Sequence, residues 1–284
     1  MLAPAVTEAR HDKTLSGVGI GLRSDHWQAL LAGDVDVPWL ELLTDNFLRP
    51  TAMSEGILER ISDAYPVSLH GVSMNLGGLD PLDHDYIEGV RRLAERTDAV
   101  HVSDHLCFTA FAGRQYHELL PMPYTQDAVR HIAARIEQAQ DMLGRQLLVE
   151  NVSAYIRSDT VMDEADFISE ICEQADCLLL CDLNNLYVNQ INLGDDALEA
   201  MSRLPAHRVH EIHLGGYDDR GDHLVDAHNN PVSDPVWALY RAAITHFSDV
   251  PVCIEWDNDI PPLASLMDEV QRASDILSRV SQPS

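Results

Sequence analysis

Short apolar runs alternate with amphipathic segments along the whole chain, which is the pattern of an α/β protein. Eight runs have the length of a buried parallel strand. They span residues 17–23, 38–44, 66–71, 98–105, 145–151, 177–183, 207–216 and 250–256. A segment with helical spacing follows each run. Eight strands that alternate with eight helices predict a closed (β/α)8 TIM barrel, with a doubly wound open sheet as the alternative.

No internal repeat, low-complexity tract or linker interrupts this alternation. The 284 residues are enough for one large α/β domain or two smaller ones. We predict a single domain over residues 1–284, in which a short N-terminal tail precedes a barrel at about 17–270.

A histidine or a carboxylate closes six of the apolar runs. These residues are His70, His105, Glu150, Asp182, His213 and Glu255. The carboxyl ends of all strands of a TIM barrel meet at one mouth, so we expect the six side chains to converge there. Burying several such groups is costly unless cations compensate for it. The pattern predicts a multinuclear metal site, and imidazole and carboxylate ligands suit iron, manganese or zinc.

Three further residues are candidate ligands. Asp226 and His228 form an Asp-x-His pair after the seventh run, and they share a metal only if the segment bends. Asn185 follows Asp182 by three residues, and its amide oxygen suits either ligation or the orientation of a neighbouring ligand. Each candidate taken alone is more typical of a hydrogen-bonded or ion-paired structural residue. Basic residues are sparse near the strand ends, so the set as a whole favours metal.

The charge balance excludes some classes of partner. Nineteen Lys and Arg against 46 Asp and Glu give a formal net charge of -27. Such a chain repels phosphate backbones and anionic lipids, so we expect neither a nucleic acid nor a membrane as partner. Five cysteines without a CxxC pair do not suggest a disulfide framework. The first twenty residues lack the apolar core of a signal peptide, and we predict a cytoplasmic location.

Eight segments together resemble the multinuclear non-heme iron-dependent oxidases, long known only as a domain of unknown function. The segments read SLHGVSMNLGG, VSDHLCF, ELLPMPYT, LLVEN, CDLNNLYVN, EIHLGGY, DAHNNPV and IEWDND. This family includes the methanobactin-biosynthesis oxidase and the enzyme that excises a cysteine carbon in thiaglutamate biosynthesis. The resemblance extends from about residue 17 to about residue 270.

The resemblance implies a TIM barrel with two or three iron ions in a mixed Fe(II)/Fe(III) state. It also implies that O2 is the cosubstrate, that a cysteine of a ribosomally synthesised precursor peptide is modified, and that a partner protein recognises the leader peptide. Transferred to this sequence, the first iron would be held by His70, His105 and Glu150. Glu150 would bridge to a second iron held by Asp182, His213 and Glu255. A third iron would be held by Asn185, Asp226 and His228.

Two other classes share parts of this pattern. The barrel and the order of ligands also resemble those of endonuclease-IV-type and xylose-isomerase-type metal enzymes. Those nucleases have a histidine where this chain has Asn185, and the net charge independently disfavours DNA. The alternatives are a divalent-metal hydrolase or isomerase acting on a small polar substrate, and a metal-storing or peptide-binding protein without turnover. In the oxidase hypothesis, loops 106–124 and 217–234 form the peptide-binding rim.

Overall fold

The computed structural model describes residues 13–156 and 161–280, and its centre is a closed barrel of eight parallel strands. In chain order the strands are β1 (Val18–Gly21), β2 (Leu40–Leu43), β3 (Val67–His70), β4 (His101–His105), β5 (Phe108–Phe111), β6 (Arg114–Leu120), β7 (Leu148–Glu150), β8 (Leu178–Asp182), β9 (Val209–Leu214), β10 (Asp218–Asp219), β11 (Leu224–Val225) and β12 (Val252–Ile254). The barrel follows the order β1-β2-β3-β4-β7-β8-β9-β12 and closes on β1. Each of these eight strands lies within one predicted run, so the predicted TIM barrel is confirmed.

Helices cover the outside of the barrel. They are α1 (Trp27–Ala32), α2 (Ala52–Ala64), α3 (His84–Thr97), α4 (Gln126–Leu143), α5 (Glu164–Ala175), α6 (Leu183–Leu193), α7 (Ala197–Arg203), α8 (Asp234–His246) and α9 (Leu263–Val280). Their apolar faces pack against outward-facing strand residues such as Leu42, Leu69 and Val102 to form one large core. In the described part of the chain, none of these helices combines the length and apolar content needed to cross a bilayer.

Three connections differ from the sequence interpretation. Segments 106–124 and 217–234, predicted as loops, contain the antiparallel hairpins β5–β6 and β10–β11. Two helices, not one, lie between β8 and β9, because α6 begins directly after Asp182 without an intervening loop. The Asp182 side chain caps this helix by accepting a hydrogen bond from the Asn185 backbone N–H (2.5 Å). Four asparagines in α6 lower its helix propensity, so the sequence pattern does not indicate a helix here.

Polar side chains fill the middle of the barrel. Ser68 on β3 donates a hydrogen bond to Glu211 on β9 (3.2 Å), and His101 Nδ1 on β4 lies 2.7 Å from the same carboxylate oxygen. Neither β3 nor β4 neighbours β9, so these contacts cross the barrel interior. Bulky apolar residues usually occupy these layers of a TIM barrel. A hydrogen-bonded polar layer therefore lies beneath the mouth.

The tight packing of Gly19 yields a stability prediction. A Cβ at Gly19 would lie 2.4 Å from the fully buried Trp39 ring and 2.8 Å from the Trp39 carbonyl oxygen. We expect Gly19→Ala to lower the free energy of unfolding by about 1–3 kcal/mol, because this contact overpacks the core. Gly56→Ala in α2 is the control, since a Cβ there meets nothing within 4 Å. Helix propensity should make the control neutral or about 0.5–1 kcal/mol more stable. Equal denaturant midpoints for the two variants would contradict this account.

Candidate metal centre

The nine predicted ligands lie at the carboxyl-terminal mouth of the barrel or in the loop that covers it. Four barrel strands end at a ligand candidate: β3 at His70, β4 at His105, β7 at Glu150 and β8 at Asp182. Glu255 directly follows β12. Eight of the nine side chains are buried, and the exception, Asp226, is 13% exposed. The buried candidates are His70, His105, Glu150, Asp182, Asn185, His213, His228 and Glu255.

Glu150 lies between two imidazole rings. One of its oxygens, Oε2, is 3.3 Å from His70 Nε2 and 3.2 Å from His105 Nε2. The two rings meet edge to face, with their centroids 4.7 Å apart. Neither nitrogen makes a hydrogen bond to Glu150, and Oε2 is a buried acceptor without a donor among the described residues.

The other ring nitrogens fix the tautomers of both histidines. His105 Nδ1 lies 3.1 Å from the Gly71 carbonyl oxygen, which only accepts, so Nδ1 carries the proton. Ser103 donates its hydroxyl proton to the Leu69 carbonyl oxygen (3.3 Å). His70 Nδ1 must therefore donate to the Ser103 hydroxyl oxygen, 2.8 Å away. In the neutral rings both Nε2 atoms carry lone pairs, so neither can donate a hydrogen bond to Glu150 Oε2.

A bound cation accounts for this arrangement of lone pairs. Burial, together with the charge of the neighbouring rings, lowers the pKa of His70 well below its usual value, and burial also lowers that of His105. The rings therefore stay neutral. Burial raises the pKa of Glu150 well above its usual value, yet one proton on Glu150 would serve only one of the two rings. A metal ion, in contrast, can interact with all three groups at once.

His213 joins this group to a set of carboxylates. Its Nε2 donates a hydrogen bond to Glu41 (3.1 Å), and its Nδ1 lies 2.8 Å from Glu255 Oε2 and 3.8 Å from Glu150 Oε1. The contact with Glu255 lies off the direction of an N–H bond, so Nδ1 has no hydrogen-bond acceptor in the described structure. Ligand atoms of Glu150, Asp182, His213 and Glu255 all lie within 4.8 Å of one another. This spacing suits a shared metal ion.

His228 extends the cluster towards the loop after β9. Its Nε2 lies 2.7 Å from Asp226 and 3.8 Å from Asp182, and its Nδ1 lies 3.1 Å from Glu255 and 3.3 Å from Asp257. Nε2 makes no hydrogen bond with any group that the structure describes. The loop thus brings a third imidazole–carboxylate group to the same mouth.

Asn185 and Gly215 complete this side of the cluster. The Asn185 amide group donates to the Asn151 carbonyl (3.0 Å), which leaves the buried Asn185 Oδ1 without a donor among the described residues. A Cβ at Gly215 would lie 2.5 Å from the His228 ring. A glycine at this position therefore lets the ring enter the mouth, and the amide oxygen of Asn185 remains free for ligation.

The electrostatics of the cluster favour added positive charge. Burial raises the pKa of Asp182 to about 7. Burial opposes charge on His213, but the Glu41 and Glu255 carboxylates overcome this and raise the pKa of His213 well above its usual value. Carboxylates that draw a proton onto a buried imidazole also attract a metal cation to it.

Three acids of the cluster were missed by the sequence interpretation. Glu41 lies two residues before the end of β2, and Glu211 lies on β9 two residues before His213. Asp257 follows Glu255 by two residues. An acid inside an apolar run, as in PWLELL and VHEIHL, is a signal that would have found the first two. Asp257 also pairs with Arg23 at the end of β1.

A TIM barrel with a buried imidazole–carboxylate cluster at its mouth is the architecture of an enzyme. The chain belongs to the family described as RiPP precursor modification enzyme MbnB/TglH/ChrH, whose model matches residues 17–278. RiPPs are ribosomally synthesised and post-translationally modified peptides. A UPF0276 protein of Acaryochloris marina is 44% identical over 264 residues, which are 93% of this chain and 95% of that protein. A UPF0276 protein of Caulobacter vibrioides is 42% identical over 259 residues, 90% and 92% of the two chains.

Solved structures share the fold at low sequence identity. D-psicose 3-epimerase from Clostridium cellulolyticum superposes with a TM-score of 0.63 at 10% identity, covering 94% of this chain and all of that chain (100%). Endonuclease IV from Thermus thermophilus gives 0.59 at 17% identity, over 93% and 98% of the two chains. These likenesses confirm a xylose-isomerase and endonuclease-IV type of barrel.

Metal binding can be tested at Glu150, because its carboxylate lies next to both His70 and His105. We expect Fe2+, Mn2+ or Zn2+, each titrated separately under anaerobic conditions, to raise the thermal stability of the wild-type protein. The gain should reach about 3 kcal/mol when the free metal exceeds its dissociation constant about 100-fold. Glu150→Gln should lose most of this gain, because the carboxylate shared by two imidazole groups is gone. Glu59→Gln, at an exposed position of α2, should gain as much as the wild type. An unchanged gain in Glu150→Gln would refute the assignment.

Proposed function

We propose that this enzyme is a multinuclear iron-dependent oxidase that uses O2 to modify a cysteine of a ribosomally synthesised precursor peptide. The observation that carries the proposal is the pair of proton-free imidazole nitrogens facing one unpaired oxygen of Glu150. Membership of a RiPP-modifying family supports a peptide as the substrate. The cytoplasm is the proposed location, and the net charge of -27 disfavours nucleic acid as a partner.

The ligand set supports iron as the metal. Every proposed ligand atom at the mouth is a nitrogen or an oxygen, and such mixed sets are typical of non-heme iron sites. The first ion would be held by His70, His105 and Glu150. The second would be held by Glu150, Asp182, His213 and Glu255. Asn185, Asp226 and His228 would hold a third. Asp257 is an additional candidate on that side, because ligand atoms of His228, Glu255 and Asp257 lie within 4.8 Å of one another.

Each part of the site has a distinct role in the proposed reaction. Bound iron would act as a Lewis acid towards the substrate thiolate and would exchange electrons with O2. Ser103 and the Gly71 carbonyl orient the His70 and His105 rings. Burial of the ligands excludes bulk water from the reacting atoms. The five cysteines of this chain are all buried, which leaves the thiol to the substrate.

The reaction is tested by coexpression with short cysteine-containing peptides encoded beside the gene. We expect one peptide to change in mass, and we expect the change to require both iron and O2. His213→Ala should abolish the change, because the ring links two ligand groups. Glu59→Gln should leave it intact. A mass change that persists without iron or O2 would favour the metal hydrolase or isomerase instead, and turnover of no peptide would refute the proposal.

The hairpins are the proposed rim for the peptide and for the partner protein that recognises its leader. The β5–β6 hairpin carries two exposed aromatic side chains, Phe111 (47% exposed) and Tyr116 (40% exposed). Val72, Thr109 and Leu119 line a cavity between this hairpin and the loop after β3. Exposed aromatics beside a cavity are typical of a binding surface.

Truncation of the two aromatics tests this rim. We expect Phe111→Ala/Tyr116→Ala to raise the KM for the peptide about 10-fold with an unchanged kcat, because lost ground-state contacts weaken binding alone. Leu198→Ala, at an exposed apolar position of α7, is the matched control. Steady-state assays by mass spectrometry measure both constants. A fall in kcat at constant KM would show that the hairpin does not serve as a binding rim.

A further inference from the structure

A buried carboxylate beneath the metal-binding mouth has no place in the proposed ligand set. Glu41 lies on β2, is 2% exposed and points into the barrel. One of its oxygens accepts the Nε2–H of His213 (3.1 Å), and the other lies 3.7 Å from the Cys253 thiol. Placing a carboxylate in a barrel core is costly, so its contact with His213 needs a physical reason.

The reason lies in the different surroundings of the two nitrogens of the His213 ring. An imidazole presents one nitrogen upward to the mouth and the other downward to the barrel core. Glu41 accepts a hydrogen bond from the lower nitrogen, Nε2, so in the neutral ring the upper nitrogen, Nδ1, carries the lone pair and lies near Glu150 and Glu255. A carboxylate that accepts the outer N–H of a ligand histidine also makes that ring a better electron donor.

A second buried acid shows that charge alone does not explain the contact. Glu211 Oε1 lies 3.9 Å from the same His213 nitrogen, beyond hydrogen-bond distance. Its other oxygen accepts hydrogen bonds from Ser68 and His101. Both acids are buried and lie close to the His213 ring, but only Glu41 accepts a hydrogen bond from it among the described residues.

We infer that Glu41 is a positioning residue, which holds His213 in the tautomer and orientation that bind metal at the mouth. This inference rests on the proposed metal centre, since it gives His213 the role of a ligand. Glu41 touches neither substrate nor metal in this scheme. It acts through the ring, and its carboxylate charge strengthens the bond that Nδ1 makes.

The decisive variant is Glu41→Gln, which keeps the size of the side chain and removes the charge. Anaerobic competition between the protein and a chelator for Fe2+ alone measures the affinity and the number of ions per chain. We expect the ion that His213 would help to hold to bind about 10-fold more weakly in Glu41→Gln than in the wild type. In Glu41→Ala the loss of affinity should reach about 100-fold. Mössbauer spectra of 57Fe-loaded protein should show the signal of this iron altered and the remaining iron signals unchanged.

Glu211→Gln is the matched control and should bind Fe2+ as the wild type does. Wild-type affinity and spectrum in Glu41→Gln would overturn the inference, and so would an equal loss in Glu211→Gln, which would assign the effect to general charge. Circular dichroism and the melting temperature show whether each variant is folded. If Glu41→Ala does not fold, the Fe2+ affinity of Glu41→Gln alone tests the inference. A wild-type protein that binds no iron would refute the proposed function itself, which is a distinguishable result.

Discussion

The site depends on one constraint: imidazole nitrogens without protons face carboxylate oxygens inside a barrel that excludes water. His70 and His105 use their Nδ1 protons on neighbouring oxygens, so their other nitrogens can only accept. Glu150, which they face, can only accept as well when it is ionised. Acceptors in contact with acceptors are unfavourable in a low-dielectric interior. A bound cation would convert this repulsion into coordination, and most other features of the mouth keep these groups in place.

The barrel supplies that placement through its strand ends. Parallel strands bring their last residues to one rim, and the register between β4 and β7 sets His105 beside Glu150. Asp182 closes β8 and caps α6 at once, so its position is fixed by a strand and by a helix. Beneath the rim, Glu41 and Glu211 replace the usual apolar layer. The protein therefore gives up part of a hydrophobic core to orient polar groups above it.

Much of this arrangement was predictable because strand ends in a parallel barrel converge whatever lies between them. The ends at His70, His105, Glu150 and Asp182 required only the apolar runs to be located. The β5–β6 hairpin was not predicted, because its strands, Phe108–Phe111 and Arg114–Leu120, lack the strict alternation of apolar and polar residues that marks a strand. The role of Glu41 was also hidden. Its partner, His213, is distant in sequence, and a contact across a barrel leaves no local spacing to read.

His228 differs from the other histidines of the mouth in the backbone segment that carries it. Its φ of +42° is uncommon for a side chain with a Cβ, and it lies in the connection between β11 and α8 rather than on a barrel strand. The remaining imidazoles are carried by barrel strands, whose displacement would break the sheet. Movement of this connection alone would open one side of the mouth while the barrel stays closed. In the proposed metal centre, the ion nearest this connection would therefore exchange first and the ion beside Glu150 last.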